Sequence, residues 1–362
     1  MSADRCALHV VGAGMAGLAA AVAGVRAGLG VALHEAAGQA GGRCRSFHDG
    51  TLDRLIDNGN HLIVGANQSV FEYLADIGAP DALSPLDPPR FDFLDAANGE
   101  TWTLQPKDGF LPFWLLEKQG RVPGSGVGDL IDAGRLAFAG PDATVADCVD
   151  TDGPLFERFW QPLARAVLNT DATEGSARLL WRMFRKTFAK GAAGSRPYLA
   201  DKGLSAALVD PALAYLGGRG ATAIFNERLR GLRISDARVT ELDFGDRTVG
   251  TGNAQVVLAL PPSEIARLLP DVSVPEETRP IVNLHYRLDG EAVLPGGGAF
   301  LGLVGTEAQW IFRRGDILSV TISAAIGMAA NPADVVAELI WRELAPLLDR
   351  PGAPIPPCRV IK

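Results

Sequence analysis

Residues 8–35 constrain this chain more than any other stretch. Ala7 to Val11 is a short, mostly apolar run that stops at Gly12-Ala13-Gly14-Met15-Ala16-Gly17, after which apolar residues recur at helical spacing as far as Arg26. The pattern predicts a strand, a glycine turn and a helix. Gly12 permits the tight turn, Gly14 the close approach of a pyrophosphate, and Gly17 the close packing of helix on strand. The helix N-terminus, with Met15 and Ala16, then faces the phosphates. A second strand, Val31 to His34, delivers Glu35 and Ala36 about 20 residues beyond the turn, where an acid accepts hydrogen bonds from a ribose. Strand, turn, helix, strand and acid together predict a dinucleotide site; the plainer alternative is a glycine-rich turn in an ordinary βαβ unit.

The continuation decides which dinucleotide. Instead of another long helix the chain gives Gly38, then Gly41-Gly42-Arg43-Cys44-Arg45-Ser46, then Asp57-Asn58-Gly59-Asn60-His61. A glycine doublet allows a second close backbone approach, and Arg43 and Arg45 can offset phosphate charge through several hydrogen bonds. A doublet followed by Arg-x-Arg-Ser, shortly after the ribose acid, resembles the flavoprotein superfamily of amine oxidases and phytoene desaturases. That resemblance implies FAD as cofactor, with Gly41, Gly42, Arg43, Asn58, Gly59 and His61 beside it.

At 362 residues the chain is long enough for two domains. Its 34 basic and 42 acidic side chains carry no basic patch of the kind that binds nucleic acid. Cys6, Cys44, Cys148 and Cys358 are scattered, with no C-x-x-C, and give neither a zinc site nor a disulfide framework. A reducing cytoplasm is the expected compartment. The first strand starts too early to leave room for a signal peptide, and Arg26 and His34 interrupt the apolar stretch after Gly14, so no transmembrane helix is expected.

Further along, Val70, Phe71, Leu74 and Ile77 repeat at helical spacing before Gly78-Ala79-Pro80. Residues 90–104 read as a hairpin turning at Asn98-Gly99. A largely helical stretch runs from Asp129 to Phe188. Phe156, Phe159, Trp160, Leu163 and Val167 share one face, with Pro162 set to kink or split that helix, and Leu179, Leu180, Met183, Phe184 and Phe188 form a second stripe. A helix through Leu204 to Leu216 precedes short strands around Ile224, Leu232, Val239 and Leu242. Val256 to Leu260 is a continuous apolar run, as expected of a strand buried on both faces. Four more strands follow between 281 and 323, then a helix with Pro332 at its first position, ending near Leu348.

The fold expected is α/β: a Rossmann-like FAD-binding domain with a second, α+β substrate domain, discontinuous in sequence. Residues 1–78 and 203–262 are assigned to the first, 79–202 and 263–350 to the second, and 351–362 to the start of a return to the first.

Asp57-Asn58-Gly59-Asn60-His61-Leu62, Phe159-Trp160-Gln161-Pro162-Leu163 with Leu168-Asn169-Thr170, Leu258-Ala259-Leu260-Pro261-Pro262, and Gln309-Trp310-Ile311-Phe312 resemble the hydroxysqualene dehydroxylases along nearly the whole chain. The resemblance implies reductive removal of the hydroxyl of hydroxysqualene by reduced FAD, giving squalene for hopanoid synthesis. Asn60 stands where the family is expected to carry Gln. The family's closing Gly-Asp segment, which completes the flavin pocket, lies beyond Lys362, so the chain is expected to be a truncation with weak FAD binding or none. Phe156, Trp160, Leu180 and Phe184 are expected to line a tunnel for a long isoprenoid, and His61 is the candidate proton donor, its alternative role being to fix its loop. A lipid-soluble substrate implies transient membrane contact, peripheral to the inner membrane. Nothing in the residues names the electron donor. Two alternatives stay open: a related carotenoid desaturase or amine oxidase, and a non-catalytic isoprenoid-binding homologue.

Overall fold

The computed structural model describes residues 7–108, 122–126, 128 and 134–362; the helix expected to begin at Asp129 starts outside the described residues. Strands Leu8–Val11 (β1), Val31–His34 (β2), Thr222–Ile224 (β7) and Gln255–Leu258 (β11) form a parallel sheet in the order β7-β2-β1-β11. Helix α1 (Met15–Arg26) crosses one face with α5 (Asp210–Gly217), burying Leu18, Ala21 and Val22 against Val10, Leu33 and Leu216. The other face is covered by an antiparallel meander, β8 (Gly231–Ser235), β9 (Arg238–Asp243) and β10 (Thr248–Gly250), whose Leu242 and Val249 meet Val11.

The apolar run at β11 is not the deeply buried strand its composition predicts. It forms an edge of the sheet and its residues from Val256 to Leu260 are half-buried. Both faces are nonetheless covered, Val257 by the α1 side and Val256, Leu258 and Leu260 by the meander side, which is why alternation is missing.

The second sheet has seven strands: Phe91–Asp95 (β5), Thr101–Leu104 (β6), Val282–Arg287 (β12), Phe300–Val304 (β13), Trp310–Arg314 (β14), Ile317–Ile322 (β15) and Cys358–Ile361 (β16), in the order β16-β12-β15-β14-β13-β5-β6. Helix α6 (Ala333–Leu347) packs on one face, with Val336, Ile340, Trp341 and Leu344 against Leu284, Tyr286, Leu318 and Val320. Pro332 is its N-cap, one position earlier than expected. Period-two alternation then turns Asn283, His285, Ser319 and Thr321 to the opposite face. Asn283 is registered with Thr321 and His285 with Ser319. The strand near the end of the chain exists, but it joins this second sheet by pairing with β12 instead of opening a return to the first. Its Ile361 reaches Leu52 and Ile56.

Between the sheets stands a hairpin, β3 (Ser46–Asp49) and β4 (Arg54–Asp57), which carries the glycine doublet at its entrance and the 58–61 loop at its exit. Ion pairs fasten it to the second sheet: Arg54 to Asp316 at 2.8 Å and Arg314 to Asp57 at 2.8 Å, while Arg287 donates to the Leu52 carbonyl at 2.9 Å. On the other side of the loop, a π-helical turn at Phe156–Trp160 leads into α3 (Gln161–Leu168), and α4 (Ala177–Lys186) follows. Pro162 sits where the π turn gives way to α-helix, so the expected split is present. Helix α2 (Gln68–Asp76) ends before Gly78, as expected.

Burial of His285 makes the fold acid-sensitive. Its Nδ1 lies 2.7 Å from Ser319 Oγ, and burial holds its pKa at about 4 against an ordinary 6.5. Because the folded value is the lower one, the unfolded chain takes up the proton first, and stability is lost as pH falls from 6.5 toward 4. At about pH 5 this histidine alone should remove about 2 kcal/mol relative to neutral pH. His34, buried beside Phe244 and lowered by burial, adds loss of the same sign. Urea denaturation across this range, with His285→Gln beside the parent, checks it: the variant should show a shallower loss.

Candidate active site

The glycine turn has the geometry its sequence requires. A Cβ on Gly17 would stand 1.7 Å from the Gly12 carbonyl oxygen, so the helix could not sit as close with any other residue there. Gly12, at φ 99°, takes a conformation that glycine alone adopts freely. Gly14 differs: its ordinary φ of −71° would admit alanine, and a Cβ there would meet nothing within 4 Å. The space beside it is open. Gly14 is also the N-cap of α1, with no side chain capping the first amides, including those of Met15 and Ala16. The Glu35 carboxylate accepts from the Ala13 amide at 2.7 Å and the Ala37 amide at 2.8 Å, with lone pairs left for a ribose; Ala36 beside it is exposed.

The doublet lies directly on this turn. Gly41 bridges Gly14, its amide donating to the Ala13 carbonyl at 2.8 Å, and a Cβ on Gly42 would fall 3.2 Å from Gly14 Cα. Arg45 Nε is buried without a partner, and the Asn58 amide donates to the Arg45 carbonyl at 2.9 Å. An open cradle, an uncapped helix start and an unspent guanidinium donor fit the diphosphate of a dinucleotide.

From the doublet a cavity of about 770 Å³ runs toward the second sheet. Its wall includes Arg43, Asn58, Gly59, Asn60 and His61 from the cofactor loops and the rings of Phe91, Phe93, Phe159, Phe188, Trp310 and Phe312. Gly302 on β13 makes room for two of these rings, since a Cβ there would lie 2.6 Å from Phe93 and 3.2 Å from Trp310. A polar belt links the 58–61 loop to the second sheet: Asn60 Nδ2 donates to Thr321 Oγ1 at 3.0 Å, and Thr321 Oγ1 donates to Asn283 Oδ1 at 2.9 Å. Among the described residues the wall holds the side chains of Arg43, Arg279 and Lys362 but no Asp or Glu side chain. His61 presents its exposed surface to this cavity, and the protein packed around it pulls its pKa below the ordinary value, opposed by a hydrogen bond with the Arg43 backbone.

The four residues expected to line the tunnel do not. Phe156, Trp160, Leu180 and Phe184 are buried in the aromatic core, packed with Val145 and Ala177, and none is on the wall. Their neighbours Phe159, Leu163, Met183 and Thr187 are. For Phe156 and Trp160, the π turn adds a residue and shifts the helical phase, which a pattern counted at 3.6 residues per turn cannot register; Leu180 and Phe184 lie on a regular helix whose buried face packs on the core. Leu179 and Val167 of the same stripes are exposed. Phe184→Ala should therefore lower stability by about 3–5 kcal/mol. Met183→Ala should instead alter substrate KM with little change in the denaturation midpoint. Equal destabilisation by both would place Met183 in the core as well.

Sequence reasoning missed Asn283, Thr321 and Gly302. The available signal was alternation, because Val-Asn-Leu-His-Tyr-Arg and Ile-Leu-Ser-Val-Thr-Ile place amide, imidazole and hydroxyl groups on one face of two strands. Several residues quoted for the family resemblance have structural work. Gln161 donates to Asp171 at 2.8 Å and accepts from the Ala172 amide at 2.8 Å. Asn169 ends α3 in the left-handed region and joins Arg279 O to the Ala324 amide. Gln309 clamps Ser323 in both directions.

The family profile described as flavin containing amine oxidoreductase matches residues 15–356. A flavin held through a dinucleotide site is FAD, which is thus the cofactor. The hydroxysqualene dehydroxylase of Rhodopseudomonas palustris is 40% identical over 358 residues, spanning 98% of this chain and 84% of the relative. That of Sinorhizobium fredii is 40% identical over 338 residues, spanning 93% and 80%. Among solved structures, an oxidoreductase from Methanosarcina mazei superposes with a TM-score of 0.72 over 98% of this chain and 86% of its own, at 13% identity, which speaks to the fold alone. The glycine turn, the doublet resting on it and the likeness along the chain agree: the chain belongs to the hydroxysqualene dehydroxylase family of flavin-containing amine oxidoreductases.

Proposed function

We propose that this flavin-dependent oxidoreductase removes the allylic hydroxyl of hydroxysqualene reductively, giving squalene. The observation that carries the reading is the cavity: residues of the cofactor loops and a set of aromatic rings share one wall, which holds no Asp or Glu side chain among the described residues. A cationic amine would meet the Arg43, Arg279 and Lys362 side chains there and no acidic one, whereas a polyene finds apolar surface worth roughly 25 cal/mol per Å² buried. When bound, reduced FAD supplies the hydride.

The chain's own residues do the rest. Gly14, Glu35, Gly41, Gly42 and Arg43 would hold the dinucleotide, with Asn58 and Gly59 beside it. The belt of Asn60, Thr321 and Asn283 receives the hydroxyl. The allylic C–O bond breaks with its electron pair leaving on oxygen, which departs as water after taking a proton, and hydride adds to the carbon. The faces of Phe93, Trp310 and Phe312 stabilise the delocalised cation and exclude water.

His61 is the wall group that exchanges a proton nearest neutrality, so it is assigned as the donor. Its lowered pKa makes the protonated form scarce at neutral pH and more acidic. Turnover should therefore rise as pH falls below 6.5 toward that value, and His61→Gln should flatten the profile. An unchanged profile in the variant would return His61 to a loop-fixing role.

No helix among the described residues is long and apolar enough to cross a membrane. A lipid-soluble substrate supports transient contact of a cytoplasmic chain with the inner membrane surface. The test of function is anaerobic incubation of the FAD-loaded, reduced protein with hydroxysqualene. Squalene should appear with matching flavin reoxidation, and reoxidation without squalene would end the reading.

A further inference from the structure

The outward face of α4 has a charge pattern opposite to that of the chain as a whole. Arg178, Arg182, Arg185 and Lys186 are exposed along it and Lys190 follows just beyond, in a protein of net charge −8. None of these five forms an ion pair among the described residues, whereas Arg158, Arg165 and Arg279 of the same region each hold a carboxylate. Asp142 lies near the start of the helix, where the Ala177 amide donates to Ala143, and it pairs with none of them. Apolar groups stand among the cations. Leu179 is 53% exposed, and Phe138, in the short turn Leu136–Phe138 packed beside α4, is 91% exposed. The inner side of the same helix buries Leu180 and Phe184 and brings Met183 to the cavity wall, with Thr187 next to it.

We propose that this face docks on an anionic phospholipid surface and that α4 is the element through which the cavity meets the membrane. Unpaired guanidinium and ammonium groups attract lipid phosphates and carboxylates, while Leu179 and Phe138 enter the boundary between headgroups and acyl chains. A helix with cations and exposed apolar groups outside, and cavity wall inside, puts the path of an isoprenoid one helix diameter from the bilayer. The isoprenoid reading of the cavity gives this contact its purpose, but the contact itself can be measured without substrate.

The test is co-sedimentation of the FAD-loaded protein with phosphatidylcholine vesicles, with and without phosphatidylglycerol. Binding is expected only with the anionic lipid and should weaken as salt rises. Each basic residue near such a surface contributes about fivefold, or about 1 kcal/mol. Combining Arg178→Gln, Arg182→Gln, Arg185→Gln and Lys186→Gln should therefore weaken binding by several hundredfold, on the order of 5 raised to the fourth power. The melting temperature should match the parent. Phe138→Ser should weaken vesicle binding about tenfold by itself.

The quadruple variant should turn over detergent-solubilised hydroxysqualene as the parent does and vesicle-borne hydroxysqualene more slowly. Failure of both proteins to turn over either form would count against the proposed function only, since sedimentation reads the surface separately. Equal binding to neutral and anionic vesicles, an undiminished affinity in the quadruple variant, or capture of duplex RNA in place of vesicles at the same salt would each overturn the docking surface.

Discussion

Gly17→Ala is expected to lower stability by about 3 kcal/mol or more and to abolish FAD binding. The added methyl would stand 1.7 Å from the Gly12 carbonyl oxygen and 3.3 Å from Ala259 Cβ, so α1 must be pushed off β1 and β11 together. That separation opens the packing of Leu18, Ala21 and Val22 on the parallel sheet. Gly14→Ala supplies the contrast three residues earlier. Its methyl meets nothing within 4 Å, so the apo protein should denature within about 0.5 kcal/mol of the parent. The same methyl occupies the cradle, and FAD affinity should fall on the order of a hundredfold, or about 3 kcal/mol. Urea denaturation and flavin titration of the two variants separate fold from cofactor. A Gly14→Ala protein that bound FAD as the parent does would move the pyrophosphate away from this turn.

Asp57→Ala should lower stability by about 3 kcal/mol. One carboxylate oxygen accepts from Ser46 Oγ at 2.5 Å and the Leu204 amide at 2.9 Å, and the other from Arg314 Nη1 at 2.8 Å. Three separate segments converge on one nearly buried carboxylate. Removing it leaves the buried Leu204 amide and the Arg314 guanidinium without their partner. The Arg314 side chain is 30% exposed, and solvent screening there keeps the loss below that of a fully buried pair. Asp57 also ends β4, immediately before the loop that places Asn58 to His61 on the cavity wall, so kcat should fall with stability. A double-mutant cycle with Arg314→Ala measures the shared part. A coupling near zero would show that Ser46 and Leu204 hold Asp57 without help from the second sheet.

The loss of four expected lining residues to the core has an instructive cause. Stripes such as Leu180 and Phe184 identify a helix face that must leave water, but a buried face and a cavity wall have the same composition. Only the packing partner distinguishes them, and here Ala177, Trp160 and Phe188 fill the space around Phe184. The final strand shows the same limit. Cys358 to Ile361 reads as a strand from its composition, yet which sheet it joins depends on the free edge of β12, formed by residues more than 70 positions away.

By itself the sequence determined the parallel βαβ unit, the glycine turn, Glu35 at the end of the second strand, the doublet and the order of most strands and helices. These follow from local sterics and periodicity: where a Cβ cannot fit, and which face must be apolar, are written in neighbouring residues. Only the tertiary structure decided the cavity wall, the belt of Asn60, Thr321 and Asn283, and Asp57 as the joint between the hairpin, the Leu204 amide and the second sheet. Each depends on groups from distant segments meeting at close range, and the strand register that pairs Asn283 with Thr321 is fixed by pairing across the second sheet, not by neighbouring residues.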